Sequence, residues 1–232
     1  MTMLFVFSSF IPLLYIIKMS FDFSAISVTR LLLPLFSSLY LSLSAAVIIV
    51  ILSLTWVVLS KFYHWKHLLL LTHILRFSYA VPSVIISVGV IFVLHSPITN
   101  VILGDLNFSS SIVAVIYGLI TKYFIVSFNY IYSSVNSISP FMVEAAKVNG
   151  AKATQITFSI YLPLIKHSII TGFIVVAIDI FKELPIVLLN RPVGWDTLSV
   201  KIFHFVSEGE WGNAAFLSSF SISFCFIVFL IL

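Results

Sequence analysis

Between Arg30 and Lys61 the chain carries no charged residue and no histidine. A helix lying on a water-facing surface needs polar residues along one side in every turn or two, and this stretch has no such side. It fits a hydrocarbon setting, where the backbone must satisfy its own hydrogen bonds and a helix of about 20 residues crosses. The same pattern recurs along the chain. Of its 232 residues, 61% are apolar and 9% charged, far from the composition of soluble domains, so the sequence reads as an all-α polytopic membrane protein. The net charge of +4 comes with no basic cluster beside stacked aromatics, which gives no reason to expect nucleic acid as a partner. Cys225 is the single cysteine, so neither a disulfide nor a cysteine metal site can form within one chain.

Six spans are expected, at residues 1–17, 34–60, 73–94, 110–132, 164–189 and 212–232, making one membrane domain of residues 1–232. The first is the shortest and contains Pro12. It lacks the positive n-region and small-residue cleavage site of a signal peptide, and Lys18 follows the apolar run instead of preceding it. The second exceeds the ~20 residues of a crossing and so is expected to tilt. The third carries Pro82 and Gly89, breakers that a bilayer tolerates where neighbours satisfy the freed backbone groups. Polar connections lie at 18–33, with Lys18, Asp22 and Arg30, at Lys61, His64, Lys66 and His67, and at 95–109. A further one, at 190–211, holds Arg191, Asp196, Glu208 and Glu210. Tyr15, Trp56, Tyr63, Trp65, Tyr132 and Trp211 fall near span ends, where interfacial aromatics belong.

The longest polar interruption is residues 139–163. Ser139 is placed to cap a short helix with its side chain, and Pro140 fits the first turn, where its missing N–H costs nothing. Gly150 stops that helix, since without a Cβ it can take the positive φ of a C-terminal cap. Ala151 to Ile160 is expected to form a second short helix, and Leu162-Pro163 to open the next apolar run. Glu144, Ala145 and Ala146, then Gly150, then Ile160, Leu162 and Pro163 occur here at a fixed spacing. That spacing resembles the signature loop of the permease subunits of bacterial ABC importers. The resemblance implies a type I importer permease fold and a cytoplasmic coupling loop that sits in a groove of an ATP-binding subunit. Ala145 and Ala146 would offer a small-residue face to that subunit, and Glu144 a charge.

The resemblance extends to residues 78–89, SYAVPSVIISVG, and to DIFKELPIVLLN at 179–190 with the Arg-Pro, Asp-Thr-Leu and acidic turn that follow. These are closest to the ferric-iron permease group, with Ser83 where a glycine is commoner. Members of that group are often fusions of two six-helix halves, whereas this chain holds one. The implied partners are a second permease half, a soluble substrate-binding protein and the ATPase, in a bilayer. The half is either a second copy or a separately encoded one, or the chain is part of a split gene. Ferric iron is the implied substrate. Thiamine, polyamine and oxyanion permeases share the loop, and a channel or secondary carrier not driven by ATP is the alternative class.

No Gly-x-x-x-x-Gly-Lys-Ser/Thr occurs, so the chain is not expected to cradle nucleotide phosphates, and no cofactor is expected on it. His64 and His67 lack a third ligand or an H-E-x-x-H pattern, and no nucleophile stands in a catalytic pattern. A transport subunit that is not an enzyme is the expectation, located in the inner membrane. With the signature loop inside, Lys61, Lys66, Arg76, Lys147, Lys152 and Lys166 are cytoplasmic and Lys18, Arg30, Arg191 and Lys201 are external, in line with the positive-inside rule. Both termini are then cytoplasmic. Within the spans, Lys122, Asp179, Lys182 and Glu183 stand out, because each charge at a bilayer centre costs roughly 2.5–3.5 kcal/mol on insertion scales. On one continuous helix Asp179, Lys182 and Glu183 form a single polar patch, and Pro185 frees a carbonyl nearby. The expectation is that they line the translocation pathway with Lys122; the alternative is a packing clamp.

Overall fold

The computed structural model describes residues 2–22, 28–63, 66–96 and 110–230, and every regular element among them is helical. In chain order these are α1 (Thr2–Met19), a 3₁₀ turn (Ser20–Asp22), α2 (Val28–Tyr63), α3 (Lys66–Ala80), α4 (Ser83–Leu94) and α5 (Ile112–Asn136). The short α6 (Pro140–Val148) precedes α7 (Ala153–Phe181), α8 (Pro185–Asn190), α9 (Leu198–Ser207) and α10 (Trp211–Leu230). The expected connections at 23–27, 64–65 and 97–109, and the side chains of Asp22, Arg30, Lys66 and His67, lie outside the described residues. By length and apolarity α2, α5, α7 and α10 can each cross a membrane.

The core is the three-helix contact of α2, α5 and α7. It closes because α2 turns small residues inward. Ser38, Ser42, Ala45, Ala46 and Ser53 are all buried, and in lipid such residues let backbones approach closely where no hydrophobic force drives association. Ser53 Oγ donates to the Phe124 carbonyl on α5 at 3.2 Å. Gly118 serves the same end, since a Cβ there would stand 2.9 Å from Ile186 Cγ2 of α8. Along α5 the rings of Phe124, Phe128 and Tyr132 stack at centroid separations of 6.0 and 5.1 Å. Around this core α1 packs on α10, and α9 lies between α10 and α2.

Three expected segments come out differently, each for a proline. The 73–94 run is two helices, α3 and α4, parted at Val81-Pro82. Pro82 has no N–H for the Ser78 carbonyl and its ring crowds that oxygen, so the chain turns and Val81 N–H donates to Ser78 instead, at 3.3 Å. The 164–189 run breaks after Phe181. Pro185 cannot donate to the Phe181 carbonyl, and Ser199 Oγ takes that acceptor at 3.2 Å; the Pro185 carbonyl in turn accepts from Ser87 Oγ at 3.2 Å. In the third case the helix survives. The expected short helix 151–160 and the run after Pro163 are one rod, α7, which passes Pro163 through a π-helical stretch at Thr157–Tyr161. Leu162 N–H reaches back to the Thr157 carbonyl, and the widened turn makes room beside Ser159, the carbonyl that the Pro163 ring would otherwise strike.

The polar stretch 190–211 is also more ordered than a solvated loop. It contains α9, whose Leu198 and Phe205 join Phe181, Ala214 and Leu217 in a buried cluster, and Leu198 N–H donates to Ser38 Oγ on α2 at 2.7 Å.

Candidate functional site

At the 139–163 loop, α6 ends in a complete Schellman cap. Gly150 has φ = 79°; its N–H donates to Lys147 at 2.9 Å and the Ala151 N–H to Ala146 at 3.0 Å, the two bonds that define the motif. The N-terminal side departs from expectation. Ser139 stands at the cap and Pro140 in the first turn, but the Ser139 side chain makes no capping hydrogen bond. Beyond the turn Gln155 Oε1 accepts from the Lys152 N–H at 2.9 Å, closing the first turn of α7.

The loop's two sides differ. Val143, Ala146, Ala151 and Ile160 pack against the buried cluster that includes Ile156, Tyr161 and Ile165, so Ala146 belongs to the inner side, while Ala145 is exposed on the outer. Leu162 is half-buried and Pro163 exposed. The outer side of α6 presents Phe141, 80% exposed, and Val148, 87% exposed, with Glu144 and Ala145 between them. Positions 141, 144, 145 and 148 fall on one helical face. The two apolar ends of this stripe were not singled out from the sequence, although the i, i+7 spacing of Phe141 and Val148 was the available signal. At the neighbouring end of α5, Lys61 Nζ donates to Asn136 Oδ1 at 2.5 Å, tying α2 to the base of the loop.

The intramembrane charges form two pairs and not one patch. Once the chain leaves helical geometry after Phe181, Glu183 loses its register with Asp179 and turns inward. Its carboxylate is 7% exposed as a residue, lies 3.9 Å from Lys122 Nζ and accepts a hydrogen bond from the Tyr123 hydroxyl, while Lys122 also donates to Ser83 Oγ. This knot holds three elements together at one level: α5 through Lys122 and Tyr123, the start of α4 through Ser83, and the α7–α8 break through Glu183. Tyr123 was missed, since an aromatic in an apolar span gives no sequence signal of a partner sixty positions on. Asp179 and Lys182 pair separately at 2.8 Å, with the Lys182 side chain 64% exposed. Lys182 borders a groove of about 430 Å³ between α7 and α10, lined also by Ile178, Ser221, Cys225, Phe226 and Phe229.

Two further polar features stand apart from these. A hollow of about 520 Å³ between α5 and α7 is lined by Asn129, Tyr130, Ser133, Ser134, Ser137 and Ser168, all uncharged. In the 191–197 turn Arg191 pairs with Asp196, donates to the Trp195 carbonyl at 3.1 Å and reaches His204 Nε2 at 3.3 Å. Among the described residues no three His, Cys, Asp or Glu side chains gather as metal ligands would.

Residues 58–232 match the protein family described as binding-protein-dependent transport system inner membrane component. Comparison with curated proteins finds no match. Among solved structures, a bacterial ABC transporter involved in the import of the acidic polysaccharide alginate aligns over 99% of this chain and 88% of its own, with TM-score 0.75 and 18% identity. A bacterial alginate transporter bound to a periplasmic protein carrying an alginate pentasaccharide aligns over 99% and 89%, with TM-score 0.77 and 18% identity. The MetNI methionine ABC transporter, in inward-facing conformations, aligns over 89% and 95%, with TM-score 0.68 and 15% identity. At these identities the likeness is one of fold.

Proposed function

Because the chain belongs to the family of binding-protein-dependent transport system inner membrane components and has the fold of ABC importer permeases, we propose that it is one half of the translocation pathway of an ATP-driven importer. The observation that carries the reading is the 139–163 loop. It sets an exposed stripe of Phe141, Glu144, Ala145 and Val148 on a short, capped helix, backed by a packed inner side. A stripe of that kind outside a membrane domain suits a protein groove, with an apolar residue at each end and a charge between. The partner is a separate ATP-binding subunit, which binds and hydrolyses the ATP; this chain holds no cofactor and catalyses no reaction. A second permease half completes the pathway and a soluble binding protein delivers the solute from outside, as the transporter in complex with a periplasmic protein illustrates for its own case.

In this reading the loop faces the cytoplasm and six spans place both termini there. α2, α5, α7 and α10 are four of them; α1 and the broken pair α3–α4 are the others. Ferric iron is the first substrate to test, on the strength of the Lys-Glu-Leu-Pro segment at 182–185, followed by thiamine, a polyamine and an oxyanion. The chain is purified with its ATPase and binding protein, rebuilt into liposomes, and assayed for uptake of each labelled solute with and without ATP. ATP-dependent uptake of ferric iron alone is the expected result. Uptake without ATP overturns the importer reading, and ATP-driven uptake of another solute overturns the substrate.

A further inference from the structure

Arg76 is the charge that the two intramembrane pairs leave out. Counted from the sequence among the cytoplasmic cations, it lies instead within the span, because α3 ends against the middle of α5. Ser78 Oγ donates to the Thr121 carbonyl at 2.7 Å, and the Tyr79 ring stands 6.4 Å from that of Tyr123. Arg76 is ten residues beyond Lys66, where α3 begins, about 15 Å along the helix at 1.5 Å per residue, too deep for its side chain to snorkel back to that end. The residue is exposed, and among the described residues it has no hydrogen bond or ion pair.

The exposed surface of α3 is split in two. Leu71, Ile74 and Phe77 recur every three residues as an apolar stripe, and His73, Arg76 and Tyr79 recur every three as a polar one beside it. The first suits lipid; the second, with an arginine at mid-depth, needs protein or water in front of it. Tyr79 interacts electrostatically with Lys182, so the polar stripe continues into the largely exposed Lys182 side chain. The carboxylates at that level are withdrawn. Glu183 is buried against Tyr123 and Lys122, and Asp179, mostly shielded, is held by Lys182. The charge on the open side is therefore positive. We infer that the translocation pathway runs along the His73–Arg76–Tyr79 stripe and that the solute crosses it as an oxygen-bearing anion, met by Lys182 and Arg76. A guanidinium suits that ligand, since its planar fork of donors matches a carboxylate or a phosphate. Ferric iron then crosses as a complex whose carboxylate oxygens leave it net negative, not as a bare cation; free phosphate offers the same chemistry. The inference rests on the importer reading and fixes the charge class of its solute.

The sign of the field along this stripe can be read without transport. Ala80 is exposed and lies one turn beyond Arg76 on the same face. Ala80→Cys is made in a Cys225→Ser background, and the complex with its ATPase and binding protein is placed in nanodiscs. Modification rates are measured with a sulfonate-bearing and a trimethylammonium-bearing thiosulfonate reagent, each divided by its rate with mercaptoethanol. The anionic reagent should be favoured about tenfold, Arg76→Gln should lower that ratio by about threefold or more, and Arg76→Lys should keep most of it. A ratio at or below one with Arg76 in place overturns the inference, as does an unchanged ratio in Arg76→Gln. So does a cysteine that reacts with neither reagent until the protein is unfolded in dodecyl sulfate, which marks a face closed to water. The measurement with Arg76 in place stands whether or not the Arg76 variants fold. Uptake into liposomes then separates the two sources of anion, with ferric citrate labelled on both metal and citrate, and labelled phosphate, as probes. ATP-driven entry of iron together with citrate, or of phosphate, supports the inference and names the anion. Entry of iron without citrate overturns it and leaves the importer reading intact, whereas uptake without ATP overturns that reading and leaves the reagent ratio to decide the inference.

Discussion

Glu183 separates a clamp from a pathway residue, and the two roles predict opposite results. In the structure its carboxylate faces Lys122 at 3.9 Å and accepts from Tyr123, and both it and Lys122 are shielded from the surface. Glu183→Ala leaves Lys122 with the Ser83 hydroxyl and no counter-charge. Breaking one side of a buried pair costs about 3–5 kcal/mol. For a chain of this size each kcal/mol moves a melting midpoint by about 2–4 °C, so the variant should melt roughly 6–20 °C lower. Glu183→Gln also leaves Lys122 without a counter-charge but keeps an acceptor for Tyr123, so it should lose less than Glu183→Ala by about 1–3 kcal/mol, the cost of a buried donor left unsatisfied. Removing both charges with side chains of similar volume, Lys122→Met with Glu183→Leu, should recover most of the loss, because it strands no ion. The assay is thermal unfolding of the detergent-solubilised complex followed by size-exclusion chromatography, with ATP-driven uptake measured alongside. If Glu183→Ala melts like wild type while Glu183→Gln abolishes uptake in a fully assembled complex, the clamp is refuted and the carboxylate belongs to the pathway.

Gly150→Val places a β-branched residue at φ = 79°, where the left-handed region costs an L-residue about 1–2 kcal/mol. Nothing surrounds that position to add a clash, so membrane insertion should be normal while recovery of the ATPase in a pull-down falls severalfold. Phe141→Ser and Val148→Ser together should reduce the same recovery with the cap unchanged; undiminished recovery would remove the α6 stripe from the interface. For topology, Ser207 is exposed at the end of α9. Ser207→Cys in a Cys225→Ser background should react with an impermeant thiol reagent in whole cells, and reaction only after the membrane is opened would invert the orientation.

Apolarity and loop spacing were legible in the sequence because each depends on residues close together in the chain. A positive-φ cap at Gly150 needs only the residue types on either side of it, and the absence of charge from Leu31 to Ser60 needs no partner at all. What was not legible depended on how the chain resolves its prolines. Pro82, Pro163 and Pro185 all lack an N–H, yet the first and last break a helix and the middle one is absorbed by a π stretch. At Pro185 the freed Phe181 carbonyl is taken by a distant group, Ser199, which no local pattern announces. The charges at 179, 182 and 183 were assigned to one patch on the assumption of an unbroken helix. The break after Phe181 turned Glu183 to Lys122 and Tyr123 and left Asp179 to pair with Lys182.

The survival of the helix past Pro163 has a mechanical consequence. From Ala153 to Phe181, α7 is a single rod of 29 residues, about 43 Å long at 1.5 Å per residue. One end is seated beside the capped α6 and the other beneath the Glu183 knot. A loop hinged at Pro163 would dissipate any push from below in a bend. A continuous rod acts as a lever, and a tilt of about 10° about its lower end carries the upper end some 7 Å sideways over that length. A change of tilt imposed at the loop would then reach the level where α4, α5 and α8 meet without being lost in a bend.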